Sequence, residues 1–193
     1  MGIGAVSRSA VFLDRDGVLV EEVYYPQTGE WEAPLCAEDV RLIPGAAAAA
    51  RRLAEAGRTL VLVSNQAAYA KGKTTLRSLH LVHERFVALL KAEGVTLDAV
   101  FYAYGHPNGV VPHFSGPSLD RKPSPHNLFV AAARLDLDLA RSWMVGDRET
   151  DVECAAGGGV NAILVDNPHA VRGGNCTAPC VRDLAEAARY ILA

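Results

Sequence analysis

Apolar residues in this chain follow two rhythms. Short, nearly continuous runs of Val, Leu, Ile and aromatic residues at 10–13, 59–63, 99–103, 143–145 and 162–165 have the pattern of strands buried on both faces. The segments between them carry helical patterns. One helix follows Pro44 through AAAAARRLAEAG and stops at Gly57, and a second covers about 74–93 and stops at Gly94. Shorter helices are expected near 125–134 and 149–156, with GGGV at 157–160 read as a helix stop, and a last one near 182–192. Strand and helix in alternation predict an α/β fold: a doubly wound, Rossmann-like parallel sheet with right-handed crossovers and helices on both faces. Residues 1–193 are assigned to one domain, and ligands are expected beyond the carboxyl ends of its strands.

Two stretches break the alternation, at about 20–43 and 104–123, the second rich in Pro and Gly. Loops of that length inside a compact domain are usually functional, so both are assigned to substrate selection. No large cap domain fits between the motifs described below, because about 48 residues separate Asp16 from Ser64 and about 58 separate Ser64 from Lys122, each largely filled by a helix and a strand.

Composition narrows the partners. Half of the 193 residues are hydrophobic and the formal net charge is -3, with no basic block to hold a nucleic-acid backbone. No segment approaches the roughly 20 apolar residues of a membrane span, and the first ten residues lack the apolar core of a signal peptide. A cytoplasmic protein acting on a small phosphorylated metabolite is expected, with neither nucleic acid nor membrane as partner. Cys36, Cys154, Cys176 and Cys180 fall in different predicted elements, which fits reduced thiols.

Four segments carry candidate chemistry. In VFLDRDGVLV a strand ends at Asp14, Asp16 follows two residues later, and Gly17 permits a sharp turn. Asp14 suits a covalent nucleophile for phosphorus and Asp16 an acid/base; a strand end with a local Asx turn is the plainer alternative. Because Asp14 and a phosphate monoester are both anions, Mg2+ is expected between them. In LVLVSNQ the next strand ends at Ser64 and Asn65, whose donors suit phosphoryl oxygens, although both types also start turns. RKPSP fixes Lys122 before Pro123. In MVGDRETD, Asp147 and Asp151 share one side of a first helical turn, where acids also serve the helix dipole. Enzymatic monoester hydrolysis spans up to ~10²¹-fold acceleration, and a single acid or base supplies only about 10²–10⁴. The segments matter as a set.

In this order the motifs resemble those of the haloacid dehalogenase superfamily, and the resemblance runs from Val11 to about Val165. VFLDRDGVLV, SNQAAYAKG, HPNG, RKPSP and GDRETD are similar to the heptose 1,7-bisphosphate and histidinol phosphatases. The resemblance implies Asp14 as nucleophile and magnesium ligand, Asp16 as acid/base with its carbonyl on the metal, and Asp147 as the remaining carboxylate ligand, with Asp151 in support. It implies Ser64, Asn65 and Lys122 on the transferring phosphoryl group, with Lys71 and Arg121 near substrate. Many such phosphatases hold a structural zinc before the RKP motif, but the corresponding positions here are Ala103, Gly105, Ser118 and Asp120. A zinc-free loop packed by its prolines, Phe114 and Leu119 is expected, since His106 and His113 with one carboxylate make a poor zinc site. A heptose bisphosphate leads as substrate, with histidinol phosphate or another small metabolite as alternative. A receiver-like phospho-aspartate signalling domain and a silent binding module are the readings from other classes. Asp16 argues against the receiver, which needs no acid/base two residues on.

Overall fold

The computed structural model describes residues 8–170 and 177–193. Six parallel strands form the central sheet: β1 (Ala10–Leu13), β4 (Thr59–Asn65), β5 (Ala99–Ala103), β6 (Trp143–Gly146), β7 (Asn161–Val165) and the short β8 (Cys180–Val181). Their order is β5-β4-β1-β6-β7-β8. The chain therefore builds outward from β1 on one side and later returns to build outward on the other, which places a topological switch point at β1. Val11 pairs with Leu60 on one flank and Trp143 on the other, so β1 is central and needs its fully apolar sequence.

Alternation along the strands divides the core between two faces. Val11, Leu13, Leu60 and Leu62 meet α1 (Ala46–Glu55), α2 (Leu76–Ala92) and α5 (Leu184–Leu192), whereas Ala10, Phe12, Val61 and Val63 meet α3 (His126–Leu135) and α4 (Glu149–Gly158). Caps fix where the helices begin: Thr75 accepts from the Ser78 N–H at 3.0 Å and Asp183 from the Glu186 N–H at 2.8 Å. Gly159, at φ +66°, stops α4, so the first two glycines of GGGV are still helical and the third ends the helix. Among the described residues no helix is long and apolar enough to cross a membrane. Cys36 and Cys154 are free thiols, and Cys176 lies outside the described residues.

The two long connections are more ordered than their composition suggests. Within 20–43 lies an antiparallel hairpin, β2 (Val23–Tyr25) and β3 (Glu30–Glu32), turned by Gly29 at φ +71°. Lys73 Nζ ties it down through Glu30 at 2.7 Å and Glu32 at 2.6 Å, and the Tyr25 hydroxyl donates to Asp39 at 2.6 Å. In 104–123 the loop folds on its own backbone: the His106 N–H donates to Phe114 O, and the Val110 N–H reaches Ala70 O at 2.7 Å. Phe114 packs edge-on against Tyr69, as a packed loop requires, but Leu119 is 76% exposed and takes no part. Its two neighbours, Ser118 and Asp120, are hydrogen-bonded to each other, and this turns Leu119 outward.

Phe86 is fully buried in the core cluster beneath α2. Replacing it with Ala removes a ring and leaves a cavity, and the expected loss is about 3–5 kcal/mol in urea denaturation.

Candidate active site

β1 ends at Leu13, and the next N–H, from Asp14, donates to the Val145 carbonyl of β6 at 3.0 Å. This bond sets Asp14 at the switch point, and the Arg15 N–H donates to its Oδ1 at 2.7 Å. Lys122 arrives from the 104–123 connection and is almost completely buried. Its Nζ donates to the Val63 carbonyl at 2.8 Å and forms ion pairs with Asp14 Oδ2 at 3.0 Å and Asp151 Oδ1 at 2.6 Å. Burial works to lower the Lys122 pKa, yet the two carboxylates outweigh it and hold the ammonium above its ordinary range.

Asp147 and Asp151 flank the start of α4. Asp151 Oδ2 accepts from the Arg148 N–H at 3.0 Å, which caps the helix and turns the carboxylate back toward the sheet. The space for it exists because position 146 is Gly: a Cβ there would sit 2.2 Å from Asp151 Cγ. Gly17 meets the same demand from the other side, with φ +77° and a Cβ position only 2.4 Å from Asp147 Oδ2.

Oxygens of Asp14, Asp147 and Asp151 lie within 4.8 Å of one another. Like charges about 5 Å apart repel by roughly 3 kcal/mol per pair at an effective dielectric constant of ~20. Burial, and then Asp14 and Asp151, push the Asp147 carboxyl up to about 7, and burial likewise raises Asp151. Three carboxylates face one ammonium; Arg148 Nε lies 3.8 Å from Asp147 Oδ2 but also pairs with Glu22, so four carboxylates face two cations and two negative charges are left over. Asp147 Oδ2 accepts from Asn167 Nδ2 at 2.7 Å, but the buried Asp147 Oδ1 has no hydrogen-bond donor. An oxygen-only donor set with an unmatched buried oxygen and two excess charges fits a hard divalent cation such as Mg2+.

Asp16 lies outside that cluster. Its carboxylate is gripped by the Arg15 guanidinium, Nε to Oδ1 at 3.0 Å and Nη2 to Oδ2 at 3.1 Å, and by Gln66 Nε2 at 2.6 Å. Ser64 Oγ joins the group by accepting from Gln66 Nε2 at 3.0 Å. The Asn65 carboxamide is already engaged, accepting from the Lys122 N–H at 3.0 Å and donating to its carbonyl at 3.1 Å, so it braces Lys122. Lys71 is exposed and Arg121 half-buried; burial and then the Lys73 charge lower the Lys71 pKa, against the opposing pull of Glu32.

Several residues at the site carried no motif signal. Arg15 is buried to 1% exposure although it sits between two acids in DRDG, and Gln66 closes SNQ. Glu22 and Asn167 complete the surroundings of Asp147: Asn167 Nδ2 also donates to Glu22 at 3.0 Å, and Arg148 Nη2 donates to Glu22 at 2.8 Å. Nearby, Trp31 of the hairpin stacks on His169, ring centroids 3.8 Å apart, at the wall of a cavity of about 420 Å³ that includes Gly17 and Asn167. His169 thus has a partner that spacing does not reveal. His80 and His83 part company on α2: His80 pairs with Glu84, while His83 Nδ1 lies 3.0 Å from the Tyr102 hydroxyl.

Known proteins similar to this chain include phosphatases. A family model described as HAD-hydrolase-like matches residues 119–187. The chain is 44% identical over 162 residues to a D-glycero-D-manno-heptose-1,7-bisphosphate 7-phosphatase of Thermosynechococcus vestitus, covering 82% of this chain and 79% of that protein. It is 36% identical to the corresponding Yersinia pestis phosphatase over 76% of this chain and 73% of that one. Among solved structures, a D,D-heptose 1,7-bisphosphate phosphatase from B. bronchiseptica complexed with magnesium and phosphate superposes with a TM-score of 0.76 at 28% identity, covering 95% and 98% of the two chains. A HAD-like phosphatase from Mesorhizobium loti gives 0.80 at 31% identity, covering 99% and 89%. Identity of this extent, together with the acid cluster at the switch point, places the chain in the haloacid dehalogenase-like hydrolases, as a phosphatase of that family.

Proposed function

We propose that the chain is a magnesium-dependent phosphatase that hydrolyses a small phosphorylated sugar, a heptose bisphosphate, through an aspartyl-phosphate on Asp14. The convergence of Asp14, Asp147 and Asp151 around buried Lys122 carries the chemistry, and the names of the relatives support the sugar. Asp14 and Asp147, with the Asp16 carbonyl, would hold Mg2+, which supplies charge neutralisation for nucleophile and phosphate. Asp151 holds Lys122 in place beside them.

An Asp14 oxygen attacks phosphorus, and the bond to the leaving oxygen breaks with its electron pair on that oxygen. The leaving oxygen takes the proton of Asp16. A water then attacks the same phosphorus and gives a proton to Asp16, the bond to Asp14 breaks, and inorganic phosphate departs from a restored carboxylate. Lys122 and Ser64 bind the phosphoryl oxygens, Asn65 supports them by fixing the Lys122 backbone, and Arg121 and Lys71 serve the rest of the substrate. Residues 1–193 act as one domain, in which the loops at 20–43 and 104–123 select the substrate at the strand ends. The 104–123 loop is held by hydrogen bonds in place of zinc, and the protein works in the cytoplasm without nucleic acid or membrane.

Asp14→Asn is expected to keep the fold and lower turnover by at least about 10³-fold; near-native turnover in the variant would end the proposal. Heptose 1,7-bisphosphate is expected to exceed histidinol phosphate in kcat/KM by more than about tenfold, and the reverse order would move the assignment to the amino-alcohol phosphate.

Asp147 supplies a thermodynamic test. Its folded pKa, about 7, lies above the ordinary carboxylate value of 3.8, so its ionisation destabilises the metal-free fold, increasingly as pH rises from about 4 toward 7. In chelator at pH 8, Asp147→Asn is expected to raise Tm by on the order of 5 °C, with the gain shrinking as pH falls toward 4. Added Mg2+ is expected to raise the wild-type Tm and leave the variant nearly unmoved; equal responses would remove Asp147 from the metal site. Stoichiometric zinc in purified protein, measured by mass spectrometry, would overturn the zinc-free loop.

A further inference from the structure

We infer that Gln66 and Arg15 are positioning residues that hold Asp16 in its proton-transfer pose and tie it to the phosphate-binding Ser64. This rests on the acid/base reading of Asp16 given above. An ionised carboxylate offers about four lone-pair sites. Three protein donors occupy Asp16: Arg15 Nε on Oδ1, and Arg15 Nη2 and Gln66 Nε2 on Oδ2. One site remains, on Oδ1, and this is where the transferable proton is carried.

The clamp is rigid for identifiable reasons. Arg15 is fixed along its length, with its guanidinium 5.7 Å from the Tyr102 ring centroid and Nη2 also donating to Gln66 Oε1 at 2.7 Å. Gln66 is itself buried, at 2% exposure, and its N–H donates to the Ala103 carbonyl of β5 at 2.7 Å. Both ends of its carboxamide are used: Oε1 receives Arg15, and Nε2 faces both Asp16 and Ser64 Oγ. A side chain anchored to the sheet thus sets the distance between the proton carrier and one phosphate ligand. Neither Gln66 nor Arg15 needs to touch substrate for this.

Proton delivery matters most when the leaving oxygen is basic, because a poor leaving group cannot depart as an anion, whereas a nitrophenolate can. The test is kcat/KM, which reports phosphoryl transfer and excludes the later hydrolysis, across aryl phosphates of graded leaving-group pKa and one alkyl sugar phosphate. Gln66→Met keeps the length and removes both hydrogen-bonding ends. It is expected to lower kcat/KM by roughly 10–100-fold for the alkyl phosphate, in the range expected for misplacing a catalytic group, and by less than about threefold for 4-nitrophenyl phosphate, so the leaving-group dependence steepens. Gln66→Glu, which retains the acceptor for Arg15 and replaces the donor to Asp16, is expected to steepen it too, and it carries the test should the Met variant fail to fold. Equal losses on all substrates would assign Gln66 a merely structural role and overturn the inference. Asp16→Asn is the comparator. If it steepens the dependence and the folded Gln66 variants do not, the positioning role is wrong while the acid/base reading stands; if Asp16→Asn itself leaves the slope unchanged, that reading fails and takes the inference with it.

Discussion

The site depends on the placement of one ammonium. Lys122 Nζ sits between Asp14 and Asp151 and donates to the carbonyl of Val63, a residue of the strand adjacent to β1. Without that charge three carboxylates would meet in a buried space where each pair repels by several kcal/mol, and the acids would protonate or move apart. With it, and with Arg148 beside Asp147 and Glu22, the acids still outnumber the cations by two, an excess that a divalent cation would match. Asn65 holds the Lys122 backbone from both sides, so the ammonium is placed by the sheet and not by loop packing.

Close approach then dictates the glycines. Gly17 and Gly146 stand where any Cβ would overlap Asp147 or Asp151, so the two acid-bearing strand ends come together only because these positions lack side chains. Asp147 and Asp151 also lie where a helix N-terminus favours negative charge, and the Arg148 N–H on Asp151 is a helix cap as well as a site contact. In GDRETD one geometry therefore satisfies both the helix end and the carboxylate cluster.

The parts legible in the sequence were those encoded locally. Continuous apolar runs marked five of the six sheet strands, and the residues just after β1, at the end of β4 and just after β6 marked the site, because in a parallel sheet the carboxyl ends share one edge. What stayed hidden depends on partners distant in the chain. Gln66 and Asp16 are 50 residues apart, and Asn167 and Glu22 145 apart, with no spacing rule to connect them. Arg15 stands between two acids in DRDG with no motif role, and only the fold shows it buried beside Tyr102. The hairpin at 23–32 escaped because Pro26 and the polar turn outweighed three-residue strands, and β8 because two residues carry no periodicity. Leu119 shows the opposite failure: an apolar residue does not pack when hydrogen-bonded neighbours fix its direction outward.

The two long loops share one support. Segment 70–74 receives the N–H groups of Val110 and Val111 at the Ala70 carbonyl, at 2.7 and 3.2 Å, and so anchors the 104–123 loop. Three residues on, Lys73 grips Glu30 and Glu32 of the hairpin, and the Thr74 hydroxyl donates to Leu35 O at 2.9 Å. Lys71 stands between these anchors. A displacement of this segment would move both loops and a basic side chain together. That connection also helps hold the 104–123 loop in shape. Its backbone is held from outside by Ala70, and within the loop Asp120 O accepts from Asn127 Nδ2 at 2.9 Å and Gly105 O from Arg121 Nη1 at 3.3 Å. Several hydrogen bonds, each a net contribution of about 1 kcal/mol, thus hold a loop that is tethered at both ends.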